Sequence, residues 1–561
     1  MGTSGTEGDH RLVLGETQTA NATPRFDLLE QPWIMALDET GRLRTESLRS
    51  VFHHAGALST LTGEVPTQAF AVFRLLLAVL RRSVGHRTGR SVEIWRGLWS
   101  TSGWPSAELD AYLTAHAERF DLLDAAQPFM QVADLQAVSG DVSSLDRLIA
   151  DVPNGEKYFT TRAGCEIDAI GFAEAARWLV HAHAFDPSGI KTGAVGDPRV
   201  KNGKGYPIGV AWTGNLGGVL LEGRNLRETL LLNLVLVDID GERFDPDDRP
   251  AWEREPCRPH VEGHRVPSGP ADLCTWQSRR IRLVHSDTHV TGVILCNGDP
   301  LEPRNRYRIE PMCGWRFSPN QSKKAGGKAQ FLPRTHDPQR ALWRGMSALL
   351  GEIGTRPGDS ETIAPGVLEW MYRLLDADAL DPAHQVRLHA IGMEYINNQS
   401  VVGDIYDDAI GFRIALLSSN PALRQTALNA VQTADDLVAA VAILAGNLAI
   451  AAGGDADGAR ARARGRGYFA LDAPYRRWLG DLSPGCDTAA ATEQWEHTTR
   501  QIIESLGRDL IDAAGTPAWI GRVVGDHYID ASVAAIWFRA RLRKLLPAAY
   551  PTHLDHGDTA A

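Results

Sequence analysis

From about residue 360 to the C-terminus, nearly every stretch of this chain carries apolar residues at helical spacing, and upstream of that point it does not. That break constrains the fold more than any single motif. The spacing predicts helices over 365–377, 403–419, 433–452, 487–514 and 529–546. In the fourth, Trp495, Ile502, Ile503, Leu506 and Leu510 fall on one face, the stripe of a helix that buries one side. Such helices with short connections pack as a bundle. Between them, GGDADGARARARGRG at 453–467 reads as an exposed connection whose four alternating arginines could meet phosphate.

Upstream the pattern is mixed. FDLLEQPWI at 26–34 alternates and suggests a strand. Residues 63–84 form a strong helical pattern through Phe70, Phe73, Leu76, Leu77 and Leu80. Residues 107–118 and 168–184 also read as helices. From 206 to 320, β-branched runs such as IRLVHSD and HVTGVILCN read as strands. The expected class is α+β: a large mixed N-terminal domain over 26–400, then a C-terminal four-helix bundle over 401–550. Residues 1–25 are expected to be a disordered leader and 551–561 a disordered tail.

Composition excludes some function classes. No apolar run reaches the ~20 residues that cross a bilayer. The nearest, 438–452, carries Asn447 and reads as a buried bundle helix. The N-terminus lacks the apolar segment of a signal peptide, so a cytoplasmic location and no membrane partner are expected. Six cysteines are scattered without a CxxC pair, so no metal or cofactor is expected. Net charge is −11, yet Thr275–Gly345 holds thirteen Lys or Arg against five Asp or Glu. A local basic face can hold phosphates on an acidic molecule.

Residues 201–218, KNGKGYPIGVAWTGNLGG, contain six glycines. Glycine removes Cβ and lets the backbone approach a flat or narrow surface. Lys201 and Lys204 add charge that anchors without reading sequence. These features suit a loop that enters a nucleic-acid groove; a long hairpin turn is the plainer alternative. A second feature is EYINNQS at 394–400. Its consecutive amides Asn397, Asn398 and Gln399 both donate and accept, so they can reach base edges or replace a broken pair. A helix cap followed by a polar linker is the plainer alternative there.

Catalytic readings find less. Gly203, Gly205 and Gly209 miss the dinucleotide fingerprint by one residue, and the Walker pattern is absent. His336-Asp337 raises the alternative of a metal-dependent HD-type nuclease or phosphohydrolase, which needs further His and Asp ligands at helical spacing. A polar turn before a helix also accounts for THDPQR. No GxSxG nucleophile elbow is present.

The order of motifs resembles CasA, the large subunit of the type I-E CRISPR surveillance complex Cascade. The matching pieces are FDLLEQPWI, FRLLLAVL, QPFMQV, NLGGVLLEGRNLRETLLLNLVL, CTWQSRRIRL and INNQS, spread from about residue 26 to 550. The resemblance implies a protein that is not an enzyme. It implies contact with the guide RNA 5′ handle, with target double-stranded DNA, with other Cascade subunits and with a recruited helicase–nuclease. It implies recognition of the protospacer-adjacent motif through the minor groove, and the start of strand separation. By the same resemblance Gln399 is the inserting wedge, with Asn397 and Asn398 beside it. Gly205 to Gly209, with Lys204, is the groove-reading window. Arg306 or Arg308 is the basic finger. Phe159, Thr160 and Thr161 are the RNA-handle contacts.

Overall fold

The computed structural model describes residues 24–152, 162, 168–261, 263, 265–351, 353–355 and 360–550. The anticipated leader (save Pro24 and Arg25) and tail therefore lie outside the described residues. So do Phe159, Thr160 and Thr161.

The N-terminal part is built around the helix Pro66–Val84, which opens on proline, where the missing N–H would have had no helical partner. All five apolar positions read from its sequence are buried, and so is Arg74. The Arg74 guanidinium makes two bonds to Glu310, at 2.9 and 2.7 Å. Helices Ser106–Ala115, Phe172–Phe185 and Pro270–Cys274 pack on this rod.

The described residues form four antiparallel three-stranded sheets, one of them the short set Phe331–Pro333, Trp315–Phe317 and Thr362–Ile363. The first has the order Leu43–Glu46, Ile34–Asp38, Leu58–Leu61, so the strand expected over 26–34 begins only at Ile34. The second joins Ile170–Gly171, His289–Asn297 and Arg279–His285; the last two are the strands expected from HVTGVILCN and IRLVHSD, and they pair antiparallel. The third joins Gly218–Glu222, Gln385–Ile396 and Val401–Arg413.

The third sheet overturns one expectation. Residues 403–419 were expected to be a helix; instead Val401–Arg413 is a strand, paired with Gln385–Ile396 from Ile396↔Val401 to Gln385↔Arg413. Apolar residues at 405, 406, 409, 410 and 412 fit a helical face almost as well as a strand with one buried face. The twelve-residue partner strand decides the matter by supplying backbone hydrogen bonds along its length. Continuous helix therefore begins at Pro421 and not at 401.

The segment 453–467 is a second correction. Gly453, at φ 80°, ends the helix Pro421–Ala452, and Asp455 caps the next, Ala456–Asp481. Its side chain accepts from the N–H groups of Asp457 and Gly458. Arg460, Arg462, Arg464 and Arg466 thus lie on a helix, as alanine and arginine favour. Thr488–Asp512 and Ala531–Leu545 complete the four long helices. Pro421–Ala452 is long and apolar enough to cross a bilayer by composition, but 61% of its most apolar window is buried within the protein. The apolar interior of the bundle runs on into Leu342–Leu417 and Trp95 of the mixed part, so the two parts share one core.

Candidate nucleic-acid interface

Asn397, Asn398 and Gln399 form the tip of the long hairpin Gln385–Ile396 and Val401–Arg413, not a helix cap. All three are exposed. All three are left-handed, with φ of 50°, 58° and 65°. Asparagine tolerates this region, whereas a side chain without a short local hydrogen bond is disfavoured there by roughly 1–2 kcal/mol. Ser400 closes the turn, its Oγ donating to the Asn397 carbonyl at 2.7 Å. Below the tip, partly buried Tyr395 donates its hydroxyl to the Phe185 carbonyl at 2.6 Å. Burial raises that phenol well above its ordinary pKa, so it stays a donor.

The glycine segment divides into two kinds. Lys201 and Lys204 exchange both backbone bonds at 3.0 Å across Asn202 and Gly203, which have φ of 52° and 74°. This is the Asn-Gly hairpin turn, whose two positive φ angles suit the twist of the flanking strands. Lys204 and Gly205 then pair with Lys191 and Thr192. Lys204 is exposed, but Gly205 is buried, and a Cβ there would meet Asn297 Nδ2 at 3.2 Å. At Gly214 a Cβ would strike the Tyr395 hydroxyl, at Gly217 the Arg334 carbonyl, and at Gly218 the Phe70 ring. These glycines make room for the protein itself. Gly209 is different: its φ is 97°, and nothing lies within 4 Å of where a Cβ would be.

Residues 185–191 bring the two features together. The Ser188 N–H donates to the Gln399 carbonyl at 2.8 Å. The Arg279 guanidinium, fully buried, donates to the carbonyls of Asp186, Pro187 and Gly209 at 3.1, 3.0 and 2.9 Å and to the Asp186 carboxylate. Lys191 Nζ lies 2.7 Å from the same carboxylate. Burial would raise the Asp186 carboxyl, but Lys191 and Arg279 hold it below its usual range. The amide tip and the Gly209 backbone are therefore held on one short strap.

The segment 304–310 reaches the same neighbourhood through Glu310, which accepts from Trp212 Nε1 at 2.8 Å. Arg308 is held by Asp238 at 3.4 Å and by Asp240. Arg306 makes no ion pair among the described residues; its Nε donates to the Glu302 carbonyl at 3.2 Å, and burial lowers its pKa. Of the two finger candidates, Arg306 is the one with no acid to leave. The basic count of Thr275–Gly345 does not make one face, because Arg279 and Arg280 are buried against Asp186 and Asp299.

The nuclease alternative finds no assembled site. His336 donates from Nε2 to the Gly218 carbonyl at 3.0 Å and stacks on Tyr406 at 4.8 Å. Burial pulls its pKa down to about 4. Asp337 accepts the Gln339 N–H at 3.0 Å within a turn. His181 and His183 are buried; Thr67 Oγ1 lies 3.0 Å from His181 Nε2, and His183 donates to the Met130 carbonyl at 2.8 Å. Among the described residues, no group of three His, Cys, Asp or Glu could hold a metal.

Sequence reasoning missed the strap. Its signal was FDPSG at 185–189, a turn signature. The buried role of Arg279 had none, because its remote partners come from two separate segments, Asp186 with Pro187 and Gly209.

Known proteins repeat this architecture. The family model for CRISPR-associated protein Cse1 matches residues 27–506. Cse1 of Thermobifida fusca superimposes with a TM-score of 0.87 at 45% identity, covering 94% of this chain and 99% of its own. Cse1 of Acidimicrobium ferrooxidans does so at 0.78 and 28%, covering 94% and 98%. CasA/Cse1 of Thermus thermophilus is 26% identical over 540 residues, which is 90% of this chain and 98% of that protein. The chain belongs to the Cse1 (CasA) family of CRISPR-associated proteins, the large subunit of type I-E Cascade.

Proposed function

We propose that this chain is the duplex-reading, non-catalytic subunit of its RNA-guided complex. It recognises a protospacer-adjacent motif through the minor groove of double-stranded DNA and nucleates strand separation. It touches the guide RNA 5′ handle, packs against the other Cascade subunits and helps recruit the helicase–nuclease. One observation carries the reading: an exposed turn of three left-handed amide residues is strapped beside a glycine backbone with open space before it. Strain of this kind concentrates at functional sites.

The physical chemistry follows from that geometry. The minor groove distinguishes mainly A·T from G·C, so a backbone reader tolerates several related motifs. An amide side chain driven into the first step offsets part of the unstacking cost, a few kcal/mol per step. Pairing with the guide RNA then exchanges one duplex for another at nearly balanced energy. The subunit has only to start the opening. Gln399 is the wedge, flanked by Asn397 and Asn398. Gly209 faces the groove, with Lys204 beside it, and Arg306 is the finger. Gly205 supports this loop from within. The RNA-handle contact at Phe159, Thr160 and Thr161 follows from the family resemblance.

Gln399→Ala in the assembled complex tests the reading. The expected result is unchanged assembly with duplex opening slowed about tenfold, as for loss of a contact worth ~1.4 kcal/mol in the opening step. Opening at the original rate on motif-bearing DNA refutes it.

A further inference from the structure

We infer that Arg279 is a positioning residue that couples motif reading to strand opening, by locking the Gly209 backbone and the Gln399 turn into one rigid unit. The inference rests on the duplex-opening reading above and extends it to a residue that never meets DNA.

The Arg279 side chain is 0% exposed, so its bonds serve only the protein. Its Nη2 serves three carbonyls, Asp186, Pro187 and Gly209, and its Nη1 donates to Ser278 at 2.9 Å. Two of those carbonyls lie on the strap and one on the glycine loop. The next strap residue, Ser188, holds the Gln399 carbonyl. Three residues beyond, Lys191 pairs in register with Gly205. The strap thus grips the glycine segment at both ends and the amide turn in its middle. A displacement of Gly209 by a groove is passed to Gln399 through three hydrogen bonds, two made by the buried Arg279 guanidinium and one by the Ser188 N–H.

The choice of arginine fits the task. A planar guanidinium presents five donors in a fixed fork, whereas lysine offers a point charge on a flexible stem. Lysine at 279 would keep the charge beside Asp186 and lose the fan of carbonyl contacts. A residue needed only to neutralise Asp186 would be redundant, because Lys191 already does so.

The test uses the assembled complex and a duplex with a fluorescent adenine analogue at the first base pair beyond the motif. Arg279→Lys is expected to slow opening on motif-bearing duplex about tenfold. Adding Gln399→Ala is expected to slow it no more than about twofold beyond the worse single variant, since residues acting as a unit are not additive. Pro187→Gly, which loosens the strap from outside the buried charges, is expected to slow opening severalfold with assembly intact. It carries the test if Arg279→Lys fails to fold. Losses that multiply in the double variant, or opening within twofold of the original in the folded single variants, overturn the coupling. An inert Gln399→Ala overturns the opening function itself, so the two failures are distinct.

Discussion

Gly209 and Gly217 stand eight residues apart and are glycine for opposite reasons. At Gly217 a side chain would enter the Arg334 carbonyl; at Gly209 it would meet nothing. Gly217→Ala is overpacking and is expected to cost about 1–3 kcal/mol of stability. Gly209→Ala meets only the penalty of a left-handed alanine, about 1 kcal/mol. If duplex backbone fills the space before Gly209, the order reverses for function. Gly209→Ala is then expected to slow opening more than Gly217→Ala does, while unfolding less easily in denaturant. Denaturation midpoints and opening rates of the two variants check this. The abundance of glycine was plain in the sequence. Its assignment was not, because Tyr395, Arg334 and Phe70, which claim three of the six, come from remote segments. The amides at 397–399 were legible as chemistry, but their strained turn was not.

The element that aims those amides is the third sheet, and His389 cross-braces it. Its Nδ1 donates to Glu222 at 2.9 Å and its Nε2 to Asp407, so one imidazolium links all three strands. Burial disfavours the charge, but Asp407 and Glu222 outweigh it and raise the pKa to about 9. A folded pKa above the unfolded value of 6.5 means stability that is fully present below about pH 6.5. That stability is lost as pH rises through about 9. The unfolding midpoint is expected to fall between about pH 7 and 10 more steeply for the original chain than for His389→Gln. Equal slopes would show that His389 carries no linked proton. The sequence misled at this element: 403–419 has apolar spacing that suits a helix, and only pairing with Gln385–Ile396 makes it a strand. The error at 453–467 was of another kind. Its helix was legible in the Asp455 cap and the run of alanine and arginine, but the glycines on either side masked it.

At the scale of the whole molecule, ties between distant segments hold the site in place. Glu310 joins Arg74 of the central helix to Trp212 of the glycine segment. Both members of the Arg74–Glu310 pair are at most 1% exposed. Glu310→Gln leaves a buried guanidinium uncompensated and is expected to cost about 3–5 kcal/mol, read as a lower denaturation midpoint. The hairpin is bolted to the bundle as well: Arg476 of the helix Ala456–Asp481 pairs with Asp408 at 2.9 Å and donates to the Ala409 carbonyl at 2.6 Å. The amino-acid order alone determined the division into a mixed part and a helical part, most of the helices, the strands Arg279–His285 and His289–Asn297, and the order of motifs that marks the family. Each of these depends on spacing within about ten or twenty residues, where local periodicity and capping operate. Tertiary structure alone decided that 401–413 is a strand, which glycines face inward, that Arg279 is buried, and that Gly209 and Gln399 share a strap. Those outcomes depend on which remote backbone supplies a hydrogen bond or fills a space, and no local pattern carries that information.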